Sequence, residues 1–215
     1  MKMQRLVSVG LVAGLAIAGL TTGTVAYASS QDRRPACTIE GTSGDDVILG
    51  TSGDDVICGL RGNDTIRGDG GNDIIFGGRG NDTIFGGRGE DRLLGNANDD
   101  VMIGDEGPDV IIGKRGNDTL RGSTGADTLK GGGGGDFVRG GDQADSIDGG
   151  KGDDNLAGGD DNDEVTGGPG ADSVAGWAGD DTLHATDGVD GNDDVTGSAG
   201  TDTCDADPGD TVSGC

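Results

Sequence analysis

Residues 77–94 read GGRGNDTIF-GGRGEDRLL, which is one nine-residue unit followed directly by another in the same frame. This frame continues without an insertion from Gly41 to His184 and makes 16 units. Position 1 is glycine in all 16 units, position 6 is aspartate in all 16, and position 8 is always aliphatic. Three fixed positions that recur in phase indicate a repeat architecture rather than a biased composition.

The two halves of the unit predict different local structures. Positions 1 to 6 are rich in glycine, aspartate and asparagine, which is the composition of turns. Positions 7 to 9 place one aliphatic residue between two variable ones, which predicts a three-residue strand whose middle side chain points inward. The repeated glycines argue against a helix.

Two units, or 18 residues, are enough to close one turn of a coil with a strand on each side. Each strand then stacks in parallel on the strand two units later, about 4.8 Å away. The position-8 side chains of the two sheets meet in a thin core. We therefore predict an all-β fold: a parallel β-roll, or β-solenoid, with two short parallel sheets, two nonapeptides per turn and eight turns from the 16 units.

The charge of the chain favours cations as partners. There are 15 Lys and Arg residues against 40 Asp and Glu residues, a formal net charge of −25. Nucleic acid and anionic membrane are disfavoured because both need a positive protein face. Stacking also places the position-6 carboxylates of units n and n+2 side by side, where they repel unless they are protonated or bridged by a cation. An acidic surface that serves only solubility does not explain why these aspartates keep phase with the inward aliphatic residues.

The nonapeptide resembles the GGxGxDxUx repeat of the RTX, or hemolysin-type calcium-binding, family, and the match extends from Gly41 to Asp205. The resemblance implies a right-handed parallel β-roll with multiple Ca²⁺ ions between stacked turns, held by the position-6 aspartates and by carbonyl groups of the glycine-rich loops. Carboxylate and carbonyl oxygens are the ligands that calcium prefers. The metal ligands expected on this basis are Asp46, Asp55, Asp64, Asp73, Asp82, Asp91, Asp100, Asp109, Asp118, Asp127, Asp136, Asp145, Asp154, Asp163, Asp172, Asp181, Asp193 and Asp202.

The segment before the repeats has the order of a secretory signal peptide, which we place at residues 1–28. Lys2 and Arg5 form a short basic region, residues 6–20 are apolar, and Ala26-Tyr27-Ala28 is a small-x-small cleavage site. A retained membrane anchor is the alternative, although the apolar core is shorter than the roughly 20 residues that a span needs. We expect the mature protein to be secreted and to carry no transmembrane span.

Both ends of the array are expected to be modified repeats. Residues 29–40 form a linker and a cap strand, residues 41–184 the 16 regular repeats, and residues 185–215 a three-residue insertion, two degenerate repeats and a C-terminal cap. Four cysteines allow three pairings. Their grouping at the two ends favours disulfides Cys37–Cys58 and Cys204–Cys215.

The sequence favours a structural or interaction protein outside the cell over an enzyme. His184 is the only histidine, and no His/Ser/Cys constellation for catalysis is present. We expect the chain to fold only when calcium binds. A calcium-dependent adhesin, or a surface that binds a ligand through its outer sheet faces, is the alternative, and an ice-binding ladder of position-7 threonines is the least favoured one. The protein or surface partner is not identified by the sequence.

Four apolar residues at position 9 are predicted to face outward as one patch. This patch can dock a partner or be covered by the caps, and the sequence does not decide between the two. The four residues are Phe76, Phe85, Ile103 and Ile112.

Overall fold

A computed structural model describes residues 35–189 and 191–215, and every regular element in these ranges is a β-strand. No helix in this part of the chain reaches the length and apolarity that a membrane crossing requires. The predicted signal peptide at residues 1–28 lies outside the described residues. The strands form two parallel sheets of ten strands each.

Consecutive strands alternate between the two sheets, which we call the odd sheet and the even sheet. The odd sheet contains β1 (Ile39–Glu40), β3 (Val56–Arg61), β5 (Ile74–Arg79), β7 (Arg92–Ala97), β9 (Val110–Ile112), β11 (Thr128–Gly133), β13 (Ser146–Lys151), β15 (Glu164–Thr166), β17 (Thr182–His184) and β19 (Thr203–Asp205). The even sheet contains β2 (Val47–Leu49), β4 (Thr65–Gly70), β6 (Thr83–Arg88), β8 (Val101–Glu106), β10 (Thr119–Thr124), β12 (Phe137–Asp142), β14 (Asn155–Asp160), β16 (Ser173–Ala178), β18 (Asp194–Ala199) and β20 (Thr211–Ser213).

The register confirms the predicted β-roll with two nonapeptides per turn. Ile57 pairs with Ile75, and Ile75 pairs with Leu93, so partners in neighbouring strands are 18 residues apart. The 16 regular units supply β2 to β17. The ends extend the roll beyond the predicted eight turns to about ten, because β1 precedes the regular units and β18, β19 and β20 follow them.

The core consists of two files of position-8 side chains, one from each sheet, which meet between the sheets. From Ile48 to Leu183 each of these side chains is at most 2% exposed. Ile39 of the cap strand extends this core at its N-terminal end, and Val195 of a degenerate repeat extends it at its C-terminal end. Ala185, the first residue of the three-residue insertion, is also fully buried in this core. The hydrophobic packing is therefore continuous through the frame slip, although each regular strand contributes only one side chain to it.

The strands are longer than the three residues that the sequence pattern predicts. Most of them contain six residues, positions 7 to 9 and then positions 1 to 3 of the following unit. The chain bends within this strand because position 2 takes the left-handed region, with φ of 81° at Leu60 and 85° at Asn96. Only positions 4 to 6 form the turn. Position 4 is also left-handed, which explains why glycine predominates there.

Position 1 requires glycine because atoms of its own unit and of the next turn lie too close for a side chain, and not because of its φ value. A Cβ atom built on Gly149 would lie 2.5 Å from Oδ2 of Asp154 in its own unit and 2.7 Å from the carbonyl oxygen of Gly167 in the next turn. Both distances are far below van der Waals contact. Any side chain at position 1 therefore forces the position-6 carboxylate and the next turn to move.

Disulfides close both ends, with the predicted pairing. Cys37 bonds to Cys58 and ties the N-terminal cap to β3, while Cys204 bonds to Cys215 and ties β19 to the C-terminus. The sequence interpretation missed the last strand, β20, which pairs with β18 and places Val212 beside Val195.

The single outward patch predicted for position 9 is wrong. Phe76 and Ile112 lie on the odd sheet, whereas Phe85 and Ile103 lie on the even sheet, because consecutive units alternate between the sheets. The position-7 threonines divide in the same way. Thr65 and Thr83 are adjacent on the even sheet, but the next partner in that row is Val101.

We expect Gly149→Ala to destabilise the calcium-loaded protein by about 1–3 kcal/mol, because the new methyl group overpacks the turn interface. Gly133→Ala is the matched control on the same sheet. A Cβ at Gly133 would meet only the carbonyl oxygen of Lys114, at 3.8 Å. Thermal unfolding of both variants tests this, and equal loss in the two would show that packing at position 1 does not explain its glycine.

Candidate cation sites between the turns

The position-6 aspartates form two buried columns along the roll. One column precedes the strands of the even sheet and the other precedes those of the odd sheet. The aspartates of the regular units from Asp64 to Asp181 are at most 3% exposed, and Asp46 and Asp55 are 7% and 8% exposed. Asp193 is 3% exposed, and Asp202 at the C-terminal end is half-buried. All 18 predicted residues therefore occupy equivalent places in the coil.

A hydrogen bond joins each of these aspartates to the aspartate of the neighbouring turn. The backbone N–H of Asp100 donates to Oδ1 of Asp118 at 2.8 Å, and the N–H of Asp118 donates to Oδ1 of Asp136 at 2.7 Å. The same bond recurs in both columns, from the N–H of Asp46 to Oδ1 of Asp202, at 2.7–3.0 Å. One oxygen of each accepting carboxylate is thus satisfied and fixed in place.

The second oxygen, Oδ2, has no hydrogen-bond partner although it is buried. Leaving a buried anionic oxygen without a donor or a cation is costly. In the described ranges this applies to Asp64, Asp73, Asp82, Asp91, Asp100, Asp109, Asp118, Asp127, Asp136, Asp145, Asp154, Asp163, Asp172, Asp181, Asp193 and Asp202. Sixteen of the 18 predicted residues therefore present an oxygen that a cation or a proton can satisfy.

Backbone carbonyl oxygens lie beside these carboxylates. The point where a Cβ of Gly59 would be built is 2.5 Å from both Oδ2 of Asp64 and the carbonyl oxygen of Gly77 in the next turn. Among the described residues no three His, Cys, Asp or Glu side chains are grouped so that they can hold a metal ion by themselves. A bound ion therefore needs main-chain carbonyls as well as carboxylates, and this donor set suits calcium and not zinc.

The first two units differ from the others. Oδ2 of Asp46 accepts hydrogen bonds from the N–H and the hydroxyl of Thr42, at 2.6 and 2.9 Å. Oδ2 of Asp55 accepts the same pair from Thr51, at 2.8 and 2.9 Å. Threonine stands at position 2 in these two units alone. The two threonines are visible in the sequence, but the hydrogen bonds that they donate depend on a loop conformation that the repeat pattern does not predict.

A second ladder, at position 5, was not predicted. Oδ1 of Asp45 accepts the N–H of Asn63 at 3.0 Å, and Oδ1 of Asn63 accepts the N–H of Asn81 at 2.9 Å. This ladder runs in the opposite direction from the position-6 ladder, because here the side chain accepts from the following turn. Position 5 is Asp or Asn in 10 of the 16 regular units, which is the signal that could have identified it.

Asp210 is a further carboxylate that sequence reasoning missed. Its Oδ1 accepts the N–H groups of Gly191, Asn192 and Asp193, at 2.9 to 3.2 Å. It therefore takes the place of a position-6 aspartate at the C-terminal end of the column, before β20. The unit at residues 206–213 is one residue shorter than the regular units, so the nine-residue frame does not reveal it.

Burial shifts the proton affinity of the columns. Desolvation raises the pKa of Asp64 to about 6, that of Asp145 to about 7 and that of Asp100 to about 8. These values also include two smaller effects: the backbone N–H of the preceding turn lowers the pKa of each carboxyl, and the stacked carboxylates of neighbouring turns raise it. When no cation neutralises them, the columns therefore take up protons at a higher pH than exposed aspartates do.

Comparison with known families agrees with this geometry. The family model of the RTX calcium-binding nonapeptide repeat matches residues 38–66, 59–93, 67–102, 94–129, 103–138, 130–165, 157–190 and 187–212. The chain belongs to the RTX calcium-binding repeat family. The RTX matches overlap and extend over both degenerate repeats and the frame slip. No curated protein matches the chain.

The raised pKa values predict how the metal-free RTX roll responds to pH. Between the unfolded aspartate pKa near 4 and the folded values of about 6 to 8, the folded state binds more protons, so its stability falls as pH rises. In EDTA we expect more strand signal in circular dichroism at pH 5 than at pH 8. An equal or larger strand signal at pH 8 would contradict the burial of unpaired carboxylates. With saturating calcium the difference should shrink, since the ion replaces the protons.

Proposed function

We propose that this chain is a secreted calcium-binding repeat protein whose roll folds when Ca²⁺ binds between stacked turns, and that it has a structural or interaction role outside the cell. The observation that carries the proposal is the column of buried, unpartnered Oδ2 atoms in phase with the core. Membership of the RTX calcium-binding repeat family supports calcium as the cation.

The proposed ligands are the position-6 aspartates from Asp64 to Asp202, together with main-chain carbonyls of the glycine-rich loops. Calcium, when bound, supplies the positive charge that these carboxylates lack. Asp46 and Asp55 contribute least, because Thr42 and Thr51 already satisfy their Oδ2 atoms. Asp210 joins the set as the last carboxylate of its column.

Folding depends on the ion because the core is thin. Each nine-residue unit buries one aliphatic side chain, and the same unit buries one carboxylate. Ordering the backbone of nine residues opposes folding, and one buried aliphatic side chain per unit offsets only part of that cost. Binding that is restricted to the folded state stabilises it by mass action, about 1.4 kcal/mol per site at ten times Kd.

The extracellular location is supported by two disulfides and by the leader-like segment at residues 1–28. Disulfides persist in oxidising compartments. Extracellular calcium modules bind with Kd values of about 10⁻⁴–10⁻³ M, well above the free calcium level inside cells. The chain therefore stays unfolded before export and folds after it.

No catalytic step is part of this proposal. His184 lies in β17, where its Nδ1 is 4.0 Å from Oδ2 of Asp205 in an exposed pair. Two partly exposed groups at the end of a strand do not form a nucleophile–base pair.

Circular dichroism during a calcium titration tests the proposal. We expect the strand signal of the RTX roll to appear cooperatively at submillimolar to millimolar calcium and to vanish on addition of EDTA. Magnesium is the ionic control, since it keeps its water shell and demands stricter geometry, and it should not restore the signal. A strand signal that is already complete in excess EDTA at neutral pH would exclude calcium-dependent folding.

A position-6 carboxylate accepts a backbone hydrogen bond and also presents a negative charge to a cation. Asp118→Asn keeps the first role and removes the second. The amide oxygen still accepts the N–H of Asp100, but the unpaired charge is lost. The variant should bind less calcium and require a higher calcium concentration to fold, while its metal-free form should be more structured than the wild type.

Asp99→Asn is the matched control for Asp118→Asn. It removes the same charge from an exposed position-5 side chain that accepts the N–H of Asn117, and asparagine occupies the equivalent place at Asn63 and Asn81. Isothermal titration calorimetry should therefore return wild-type stoichiometry for Asp99→Asn. Equal losses in both variants would show that net charge, and not the buried column, governs calcium binding.

A further inference from the structure

The carboxylates of the first two regular units are satisfied within their own loops. The hydroxyl of Thr42 accepts the N–H of Gly44 at 3.2 Å and donates to Oδ2 of Asp46 at 2.9 Å. The N–H of Thr42 donates to the same Oδ2 at 2.6 Å. Thr51 makes the same three bonds in the second unit. These bonds join residues two or four apart in sequence, so they form without a neighbouring turn.

The backbone of these two loops also differs from that of the later units. Position 2 has a left-handed φ in the other 14 regular units, whereas neither Thr42 nor Thr51 has one. In a later unit the N–H at position 2 bonds to the following turn, as the N–H of Asn96 does to the carbonyl oxygen of Gly113 at 3.0 Å. The first two loops therefore close on themselves, and the later loops close against their neighbours.

A disulfide fastens the same segment. Cys37 and Cys58 close residues 37–58, which contain β1, β2 and the start of β3 and which we call the first turn. Such a cross-link restricts the unfolded chain and so favours the folded one. The hydroxyl of Thr38 donates to Oδ1 of Asp55 at 3.3 Å, so both oxygens of this carboxylate have donors from within the first turn.

The C-terminal end of the described roll is built differently. The Oδ2 atoms of Asp193 and Asp202 have no hydrogen-bond partner there. All three residues of β20 are exposed, and Cys215 of the second disulfide is exposed as well. Cys58 of the first disulfide is only 6% exposed and lies in an apolar cluster. The two ends thus differ in their need for a cation and in their packing.

We propose that the first turn is ordered without calcium and is the nucleus from which the roll grows toward its C-terminus. This inference rests on the calcium-dependent folding proposed above. Contacts between residues close in sequence form first, because they close short loops. The first turn then presents β2 and β3 as the edges on which β4 and β5 pair. Every later regular unit adds a carboxylate whose Oδ2 has no donor, so its docking waits for a cation.

Hydrogen–deuterium exchange with mass spectrometry on the full secreted chain tests the proposal. In excess EDTA at pH 8 we expect slow amide exchange within residues 37–58 and fast exchange from Asp64 onward. In saturating calcium, exchange should be slow along the whole described roll. The first turn contains two short strands and the start of a third, so it adds little to the strand signal of the metal-free chain in circular dichroism.

The double variant Thr42→Val/Thr51→Val removes both hydroxyl groups and keeps the branched shape of the side chains. We expect it to lose the slow exchange of residues 37–58 in EDTA. After a calcium jump followed by stopped-flow circular dichroism, its strand signal should form about fivefold or more slowly than that of the wild type, since a substitution in the nucleus slows folding.

Thr119→Val/Thr128→Val is the matched control. These threonines also lie in consecutive units, and neither hydroxyl makes a hydrogen bond among the described residues. Their register partners are Val101 and Val110, so valine fits at both places. The control should keep the wild-type exchange pattern in EDTA and a folding rate within about twofold of the wild type. Circular dichroism in calcium checks that both double variants fold.

Four results would overturn the proposal. Fast exchange of residues 37–58 in EDTA would remove the nucleus and leave calcium-dependent folding intact. Slow exchange along the whole roll in EDTA would remove both. Pulse labelling after a calcium jump that protects residues 193–215 first would place the nucleus at the other end. Equal slowing of folding by the two double variants would show that the loop hydroxyls of the first two units have no special role.

Discussion

Every turn of this molecule depends on one shared interaction, the hydrogen bond from the backbone N–H of a position-6 aspartate to the carboxylate of the next turn. At 2.7–3.0 Å it draws the turns together and orients the carboxylate. The same bond directs Oδ2 into the buried interface, where no donor meets it. The roll therefore gains its alignment from a group whose other oxygen opposes folding, and only a cation or a proton removes that opposition.

The glycine at position 1 is the second half of this arrangement. It leaves room for the carboxylate oxygen and for the carbonyl of the following turn, as the geometry around Gly59 and Gly149 demonstrates. Glycine at position 1 and aspartate at position 6 thus recur together, because a side chain at position 1 would collide with the aspartate carboxylate. Position 8 then needs only one inward side chain per unit, since the inter-turn bonds, and not a wide core, determine the register.

The periodicity was sufficient to predict the parallel roll, its two units per turn, the inward position 8, the columns of aspartates and the pairing of the cysteines. Features that depend on local φ values were beyond it. Leu60 carries no sequence signal for the left-handed φ that bends its strand. Thr42 satisfies Asp46 only because of its own loop geometry, and Asp210 was concealed by a shortened spacing. The single outward patch is wrong because consecutive units alternate between the two sheets, so that the position-9 side chains of neighbouring units lie on opposite faces.

The short strands at the two ends have a consequence for association. Ten parallel, in-register strands per sheet are the geometry of cross-β fibrils, in which exposed edges recruit further chains. In the described roll the edges are β1, β2, β19 and β20, which contain only two or three residues each. Disulfides fasten the chain beside β1 and β19. Because short, covalently fastened edges make poor templates, the molecule is protected against stacking end to end into fibres.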